Sequence, residues 1–237
     1  MEYRIEPDVF EGHPGYVRGV VLVRGAFNAG DPSALEEALR IEEVRVRERL
    51  AGASIPDHPA VAAWREAYRR FGAKPSEHRS SIEAMLRRVL KPDRLPVINP
   101  LVAIGNIVSL RYLLPAGVHP WTSQGPDLVL RVAHDADTFV PPGESARESP
   151  WPPEIVFAQG SQVLTRRWTW RQAAGTQTLP ETTDVFFNVD GMPPVDLATV
   201  RQAMQDVESL VAAHTGGRIA ASGVLSRAGA SMALPSL

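Results

Sequence analysis

The sequence predicts an α+β protein: a largely antiparallel sheet flanked by helices, preceded by a mainly helical N-terminal extension. Three observations predict it. Helical spacing and capping signals dominate residues 31–114. Short β-branched and aromatic runs between turn residues dominate residues 127–190. A last helical stretch and a candidate strand follow Pro193-Pro194.

Taken in order, VRGVVLVRGAF (Val17 to Phe27) reads as a strand and a turn. Asp31 suits a helix cap and Pro32 the first helical position, so a helix is expected through Leu50, with Leu35, Leu39 and Val46 facing the core. A second helix is expected from His58 to Phe71, ended by Gly72. Ser80 and Glu83 have capping-box spacing, Ser80 as cap and Glu83 reaching back; the helix they open stops before Pro92. The next helix, from Pro100 to Leu114, is apolar nearly all round and must be buried. Strands are expected at Asp127 to Ala133, Glu154 to Ala158, Val163 to Trp170 and Asp184 to Asp190, with a Pro-, Glu- and Ser-rich loop at Val140 to Pro153. Pro193-Pro194 opens a helix to His214, Gly216-Gly217 ends it, RIAASGVL is the last strand, and the tail AGASMALPSL is expected to be unstructured.

Composition narrows the function classes. Of 237 residues, 44% are apolar and 22% charged, with a net charge of −2, which excludes a strongly basic nucleic-acid protein but not local basic patches. There is no cysteine, so neither a disulfide nor a thiolate site can form. The start MEYRIEPDVFEG has no signal-peptide pattern, and no apolar run approaches the ~20 residues of a membrane span. The expectation is a cytoplasmic protein with no membrane partner.

The sequence has no GxSxG elbow, no HExxH and no Walker A loop. The histidines His13, His58, His78, His119, His134 and His214 are scattered, so neither a metal nor another cofactor is expected. Asn106 lies inside the apolar helix, where an unpaired amide costs about 1–3 kcal/mol; it is either a satisfied core amide or a group facing a ligand cavity, with Ser109 on the same face. His119 leaves that helix on a loop, either as a surface residue or as a group orienting water. RRWTWRQ, read as a strand, puts Arg167, Thr169 and Arg171 on one face and Arg166, Trp168, Trp170 and Gln172 on the other. That is either a half-buried strand with snorkelling arginines or a stacking platform beside cations. Lys74 and Arg79 sit near a helix start, where free N–H groups attract anions.

Five blocks taken together, FGAKPSEHRSSIEAMLRRVL, LPVINPLVAIGNIVSL, GPDLVLRVA, RRWTWRQ and ETTDVFF, resemble the B3/B4 domain. That domain is the editing module of the phenylalanyl-tRNA synthetase beta subunit and also occurs as freestanding proteins. The resemblance implies a B3/B4-like domain over residues 71–226, an N-terminal strand and helices over 1–70 packed on it, and a flexible tail at 227–237. It implies hydrolysis of misacylated tRNA in trans, an aminoacyl ester cleaved by a positioned water with help from the tRNA ribose hydroxyl. Asn106 matches the family's helix motif and His119 lies near its loop histidine, so both are assigned as catalytic. The family's pocket glutamate falls at or near Asn188 or Asp190. Ser109, Trp168, Trp170, Arg171, Gln172 and Asn188 are assigned to the substrate, and Lys74, Arg79, Arg87 and Arg167 to RNA. Ala103 replaces the acidic position of the helix motif, and a Thr-Asp-Ala-Ser stretch is absent. The implied partners are misacylated tRNA and an aminoacyl-tRNA synthetase, with no DNA. The alternative is a non-catalytic binder of an amino acid or tRNA. One geometric expectation underlies both: Asn106 and the Trp168–Gln172 segment border one cleft.

Overall fold

A computed structural model of the chain describes residues 1–91, 93–122 and 124–235. The expected stop at Pro92, and Ser236 and Leu237 of the expected tail, lie outside the described residues.

The described elements run β1 (Glu2–Ile5), α1 (Pro7–Gly12), β2 (Val17–Arg24), α2 (Ser33–Arg49), a 3-10 turn (Ile55–Asp57), α3 (Pro59–Arg70), α4 (Ser81–Val89) and α5 (Pro100–Tyr112). Then follow β3 (Ala116–Pro120), β4 (Leu128–Val132), β5 (Ile155–Gln159), β6 (Gln162–Arg166), β7 (Arg171–Gln172), β8 (Val185–Gly191), α6 (Leu197–His214), β9 (Arg218–Leu225) and β10 (Ser231–Ala233). They form an α+β fold with two largely antiparallel sheets. One has the order β10-β1-β4-β5-β6-β7, the other β3-β8-β2-β9. Of the pairings between these strands in the described residues, only β1–β4 is parallel.

The apolar helix behaves as its composition requires. α5 buries Leu101, Ala103, Ile104, Gly105, Ile107, Val108, Ser109 and Leu110. Gly105 sets its distance from β3, because a Cβ there would lie 2.9 Å from the Ala116 carbonyl oxygen. β2 is buried at seven of its eight positions, as a central strand covered on both faces must be. It joins β8 on one side and β9 on the other, so residues 1–70 supply a strand to the interior of each sheet.

Several local expectations need correction. RRWTWRQ is not one strand: β6 ends at Arg166, residues 167–170 turn, and β7 begins at Arg171. Arg167 and Trp168 have φ of 46° and 64°, and Thr169 N–H donates to Arg167 O at 2.6 Å, a tight γ-turn that alternation in the sequence cannot reveal. His119 sits not on a loop but in β3, an edge strand whose Pro120 masks its strand character. The tail is not wholly unstructured, since Ser231–Ala233 pair with β1. Pro193-Pro194 precedes α6 rather than opening it; Asp196 is the cap and accepts from Thr199 N–H at 2.8 Å. Ser80 does cap α4, but Glu83 does not reach back: its Oε1 accepts from Arg65 at 2.8 Å and from Arg87 at 2.9 Å.

Candidate functional site

A cavity of about 230 Å³ opens where the two sheets meet. Strand periodicity explains its walls. Asn188 and Asp190 are two apart on β8 and share a face; Gly117 and His119 do the same on β3. Register then places Arg18 of β2 opposite Asp190, and Gly117 opposite Asn188. From the other sheet come Phe157 of β5, Thr165 of β6 and the Trp168–Gln172 segment.

The floor is a buried polar network. Arg18 Nε donates to Asp190 Oδ1 at 2.6 Å, Tyr16 O–H donates to the same oxygen, and Arg18 also lies over Phe157 at 5.2 Å. Such a charge survives burial only because it is paired. Arg18 Nη1 donates to Tyr3 Oη at 3.0 Å, and Tyr3 donates to Asn188 Oδ1 at 2.7 Å. Arginine can only donate, so the Tyr3 oxygen accepts and its hydrogen goes to Asn188. That fixes the Asn188 amide with its NH2 as the free end. Among the described residues none accepts from that NH2, and Asn188 lines the cavity. Burial holds both tyrosine hydroxyls above their ordinary pKa, so both stay protonated.

A second chain of bonds fixes a hydroxyl. The two hydrogens of the Gln172 NH2 are shared among three groups within reach, the carbonyls of Thr176 and, at 3.3 Å, Val118, and His119 Nδ1 at 3.0 Å; the NH2 itself cannot accept. His119 Nδ1 must therefore accept, and its Nε2 carries the hydrogen toward Thr165 Oγ1 at 3.3 Å. The Thr165 hydroxyl hydrogen is left for the cavity. Burial, with the Arg18 charge nearby, pulls the His119 pKa down to about 3, and the ring stacks on Phe186 at 5.3 Å. It is neutral near pH 7.

The turn is held by three rings and two backbone hydrogen bonds. Trp168 is buried against His13, Tyr16 and Trp64 with centroids 4.9, 4.7 and 5.3 Å away. Trp168 N–H donates to Ile155 O at 2.8 Å, and Ser81 N–H donates to Thr169 O at 3.0 Å. These contacts offset the cost of two consecutive positive-φ residues without a glycine.

The structure thus brings together His119, Trp168, Trp170, Arg171, Gln172 and Asn188 of the expected site residues. Asn106 is half-buried and is not among the residues lining this cavity, so the expected convergence of helical amide and Trp–Arg segment is not met. Ser109 does not line it either: it is buried, and its Oγ accepts from Ala116 N–H at 3.0 Å, joining α5 to β3. Arg167 is buried, with its guanidinium 4.4 Å from the Trp170 centroid, which leaves it poorly placed for RNA. Lys74 is exposed and 3.3 Å from Glu77, while Arg79 and Arg87 border a separate groove on α4. At that helix start Ser81 and Glu83 N–H already have protein acceptors, which leaves fewer N–H groups for an anion. Sequence reasoning missed Tyr3, Tyr16, Arg18, Phe157 and Thr165. One signal was available: an arginine inside the run VRGVVLV must find a buried carboxylate.

Comparison with known proteins follows this geometry. Residues 63–216 match the family model described as B3/4 domain. A solved N-terminal fragment of the phenylalanyl-tRNA synthetase beta subunit from Pyrococcus horikoshii is similar at 12% identity and a TM-score of 0.46. The alignment covers 91% of this chain and 49% of that fragment, so this chain spans about half its length. No curated protein matches the chain. Among the described residues, no helix is long and apolar enough to cross a membrane.

Proposed function

This chain belongs to the B3/4 domain family, and from that premise we propose that it is an aminoacyl-tRNA deacylase acting in trans on misacylated tRNA. One observation carries the reading. Two hydrogen-bond donors, the Asn188 NH2 and the Thr165 hydroxyl, are oriented by buried partners toward one small cavity. Preorganised donors of this kind suit a carbonyl oxygen that gains negative charge as water attacks. The cavity is smaller than the roughly 300–1,000 Å³ typical for drug-sized ligands, which suits a single amino-acid group rather than a whole nucleotide.

In the proposed reaction, water adds to the ester carbonyl and the bond to the ribose oxygen breaks. The amino acid leaves as a carboxylic acid that ionises, and the ribose oxygen takes a proton. His119 acts as a positioning residue rather than a base, because both ring nitrogens are engaged and the ring is held neutral. The neighbouring ribose hydroxyl of the tRNA assists the water, so no nucleophilic triad is required. Trp170 and Arg171 border the mouth.

The test is deacylation of a panel of mischarged tRNAs by the purified chain. At least one should be cleared, and Asn188→Ala should lower its kcat by about 10²-fold. The reading fails if every tRNA of the panel stays intact while a synthetase editing domain clears them. One observation favours a second reading, a non-catalytic binder: the Asp190 carboxylate is already engaged by Arg18 and Tyr16. That reading predicts stabilisation by about 2.7 kcal/mol at ligand a hundredfold above its Kd, with no turnover.

A further inference from the structure

The outer face of α4 carries a groove of about 560 Å³ lined by Ile55, Arg79, Ala84, Arg87, Arg88, Leu90, Lys91 and Asp93. Helical spacing builds it. On α4, positions 84, 87 and 88 are three or four apart and form one stripe, and Lys91 follows just past the helix end, so three cations border the groove beside Ile55, Ala84 and Leu90. Arg79 extends the row beyond the capping Ser80.

These cations differ from several on the neighbouring helices. On α2 and α3, Arg40, Arg45, Arg69 and Arg70 each lie against a glutamate of their own helix. In the groove Arg87 shares Glu83 with Arg65. Among the described residues, no carboxylate lies within ion-pair distance of Arg79, Arg88 or Lys91; the carboxylate in the lining, Asp93, pairs with none of them. Three exposed cations without counter-charges repel one another and gain most from a polyanion. Arginine's planar fork suits phosphate oxygens in particular.

The groove also leads to the cleft. His78, next to Arg79, packs its ring edge against Trp170 at 4.7 Å, and Ser81, two residues further, lines the cleft together with Trp170. The nine residues of α4 rise about 13 Å, room for about four phosphates of a stacked strand at ~3.4 Å each.

We infer that this groove holds the phosphates of a single-stranded RNA end, which runs along α4 and past Arg79 to deliver its terminal ribose to the cleft. The inference rests on the deacylase reading for the direction of the strand, and on the groove alone for the phosphates.

The experiment measures binding of a labelled RNA minihelix with a short single-stranded 3′ end across a salt titration. The variant is Arg79→Ala/Arg88→Ala/Lys91→Ala in the full chain. The slope of log K against log salt should flatten by about 2, three phosphates at ~0.7 each, with Kd about tenfold weaker. Arg79→Lys/Arg88→Lys should restore most of the slope. An unchanged slope in the triple variant, no measurable binding by the unaltered chain, or equal effects on a blunt-ended minihelix would each overturn the inference. So would a polyglutamate peptide that binds with the salt slope RNA lacks, which would assign the groove to an acidic protein. Hydrolysis is scored separately on the charged minihelix. An unchanged slope with hydrolysis intact removes the groove alone; a flattened slope with no hydrolysis removes the deacylase alone.

Discussion

Helix α5 and the segment Arg166–Gln172 both stood out as candidate site elements, and the fold uses them in opposite ways. α5 is a packing element. Its polar side chains face other duties: Ser109 ties it to β3, and Asn106 sits half-buried away from the cavity. Arg166–Gln172 is a lining element, bent by two positive-φ residues so that Trp168, Thr169, Trp170, Arg171 and Gln172 all border the cavity. A polar residue in an apolar helix therefore marked little beyond itself, while a polar-aromatic run that resembled an ordinary strand marked a cavity wall. The difference lies in backbone geometry. A strand would have turned alternate residues away from the cavity; a turn does not.

The contrast can be sharpened by measurement. The largest effect belongs to pH. His119 has a folded-state pKa near 3 against an ordinary 6.5, so the unfolded chain binds the proton more readily. Its contribution is complete above about pH 6.5 and is lost as pH falls toward 3. The loss is on the order of 4 kcal/mol, read as the change in urea stability between those limits. His119→Gln should remove only the His119 part of that slope. A comparable part should remain, because burial, with Arg70 nearby, also holds His13 down, to about 4, and burial lowers His58 and His78 too. An equal slope in wild type and variant would show that the cleft wall around His119 is open to water.

Next comes Trp168→Ala, which empties the aromatic cluster behind the turn and should cost about 3–5 kcal/mol in urea unfolding. A cost under 1 kcal/mol would mean that the turn is held by its backbone bonds alone. The smallest effects belong to α5. Gly105→Ala pushes a methyl toward the Ala116 carbonyl and should cost about 1–3 kcal/mol, while Asn106→Ala should stay within about 0.5 kcal/mol. If Asn106→Ala instead abolished deacylation without changing stability, the two elements would have exchanged roles.

The helices from α2 onward were legible in outline because their signals are local; α1, six residues long, was not expected. Ser80 caps α4 as its side chain suggests, and the apolar run of α5 is buried as its composition demands. Most strands from Leu128 onward were legible too, as β-branched runs between turn residues. β1, β3 and β10 were not: they are three to five residues long, carry Arg, Pro, Gly or Ser, and exist because a neighbouring strand supplies their hydrogen bonds. Half of the cleft was legible through the block that contains RRWTWRQ. The other half, Tyr3, Tyr16 and Arg18, comes from a part of the chain more than a hundred residues distant, where only the oddity of Arg18 hinted at a buried partner.

What the amino acids settled by themselves was the inventory: the mixed α+β class, the start of α4, the buried helix and the family to which residues 63–216 belong. Those properties rest on capping, periodicity and apolar content, which act within a few residues. Only the tertiary structure decided which polar groups meet. Arg18 faces Asp190, and Gln172 orients His119 toward Thr165, because strand register and a left-handed turn bring them within hydrogen-bond reach. A hydrogen bond needs a few ångströms and a direction, and neither is written in the spacing of residues far apart in the chain.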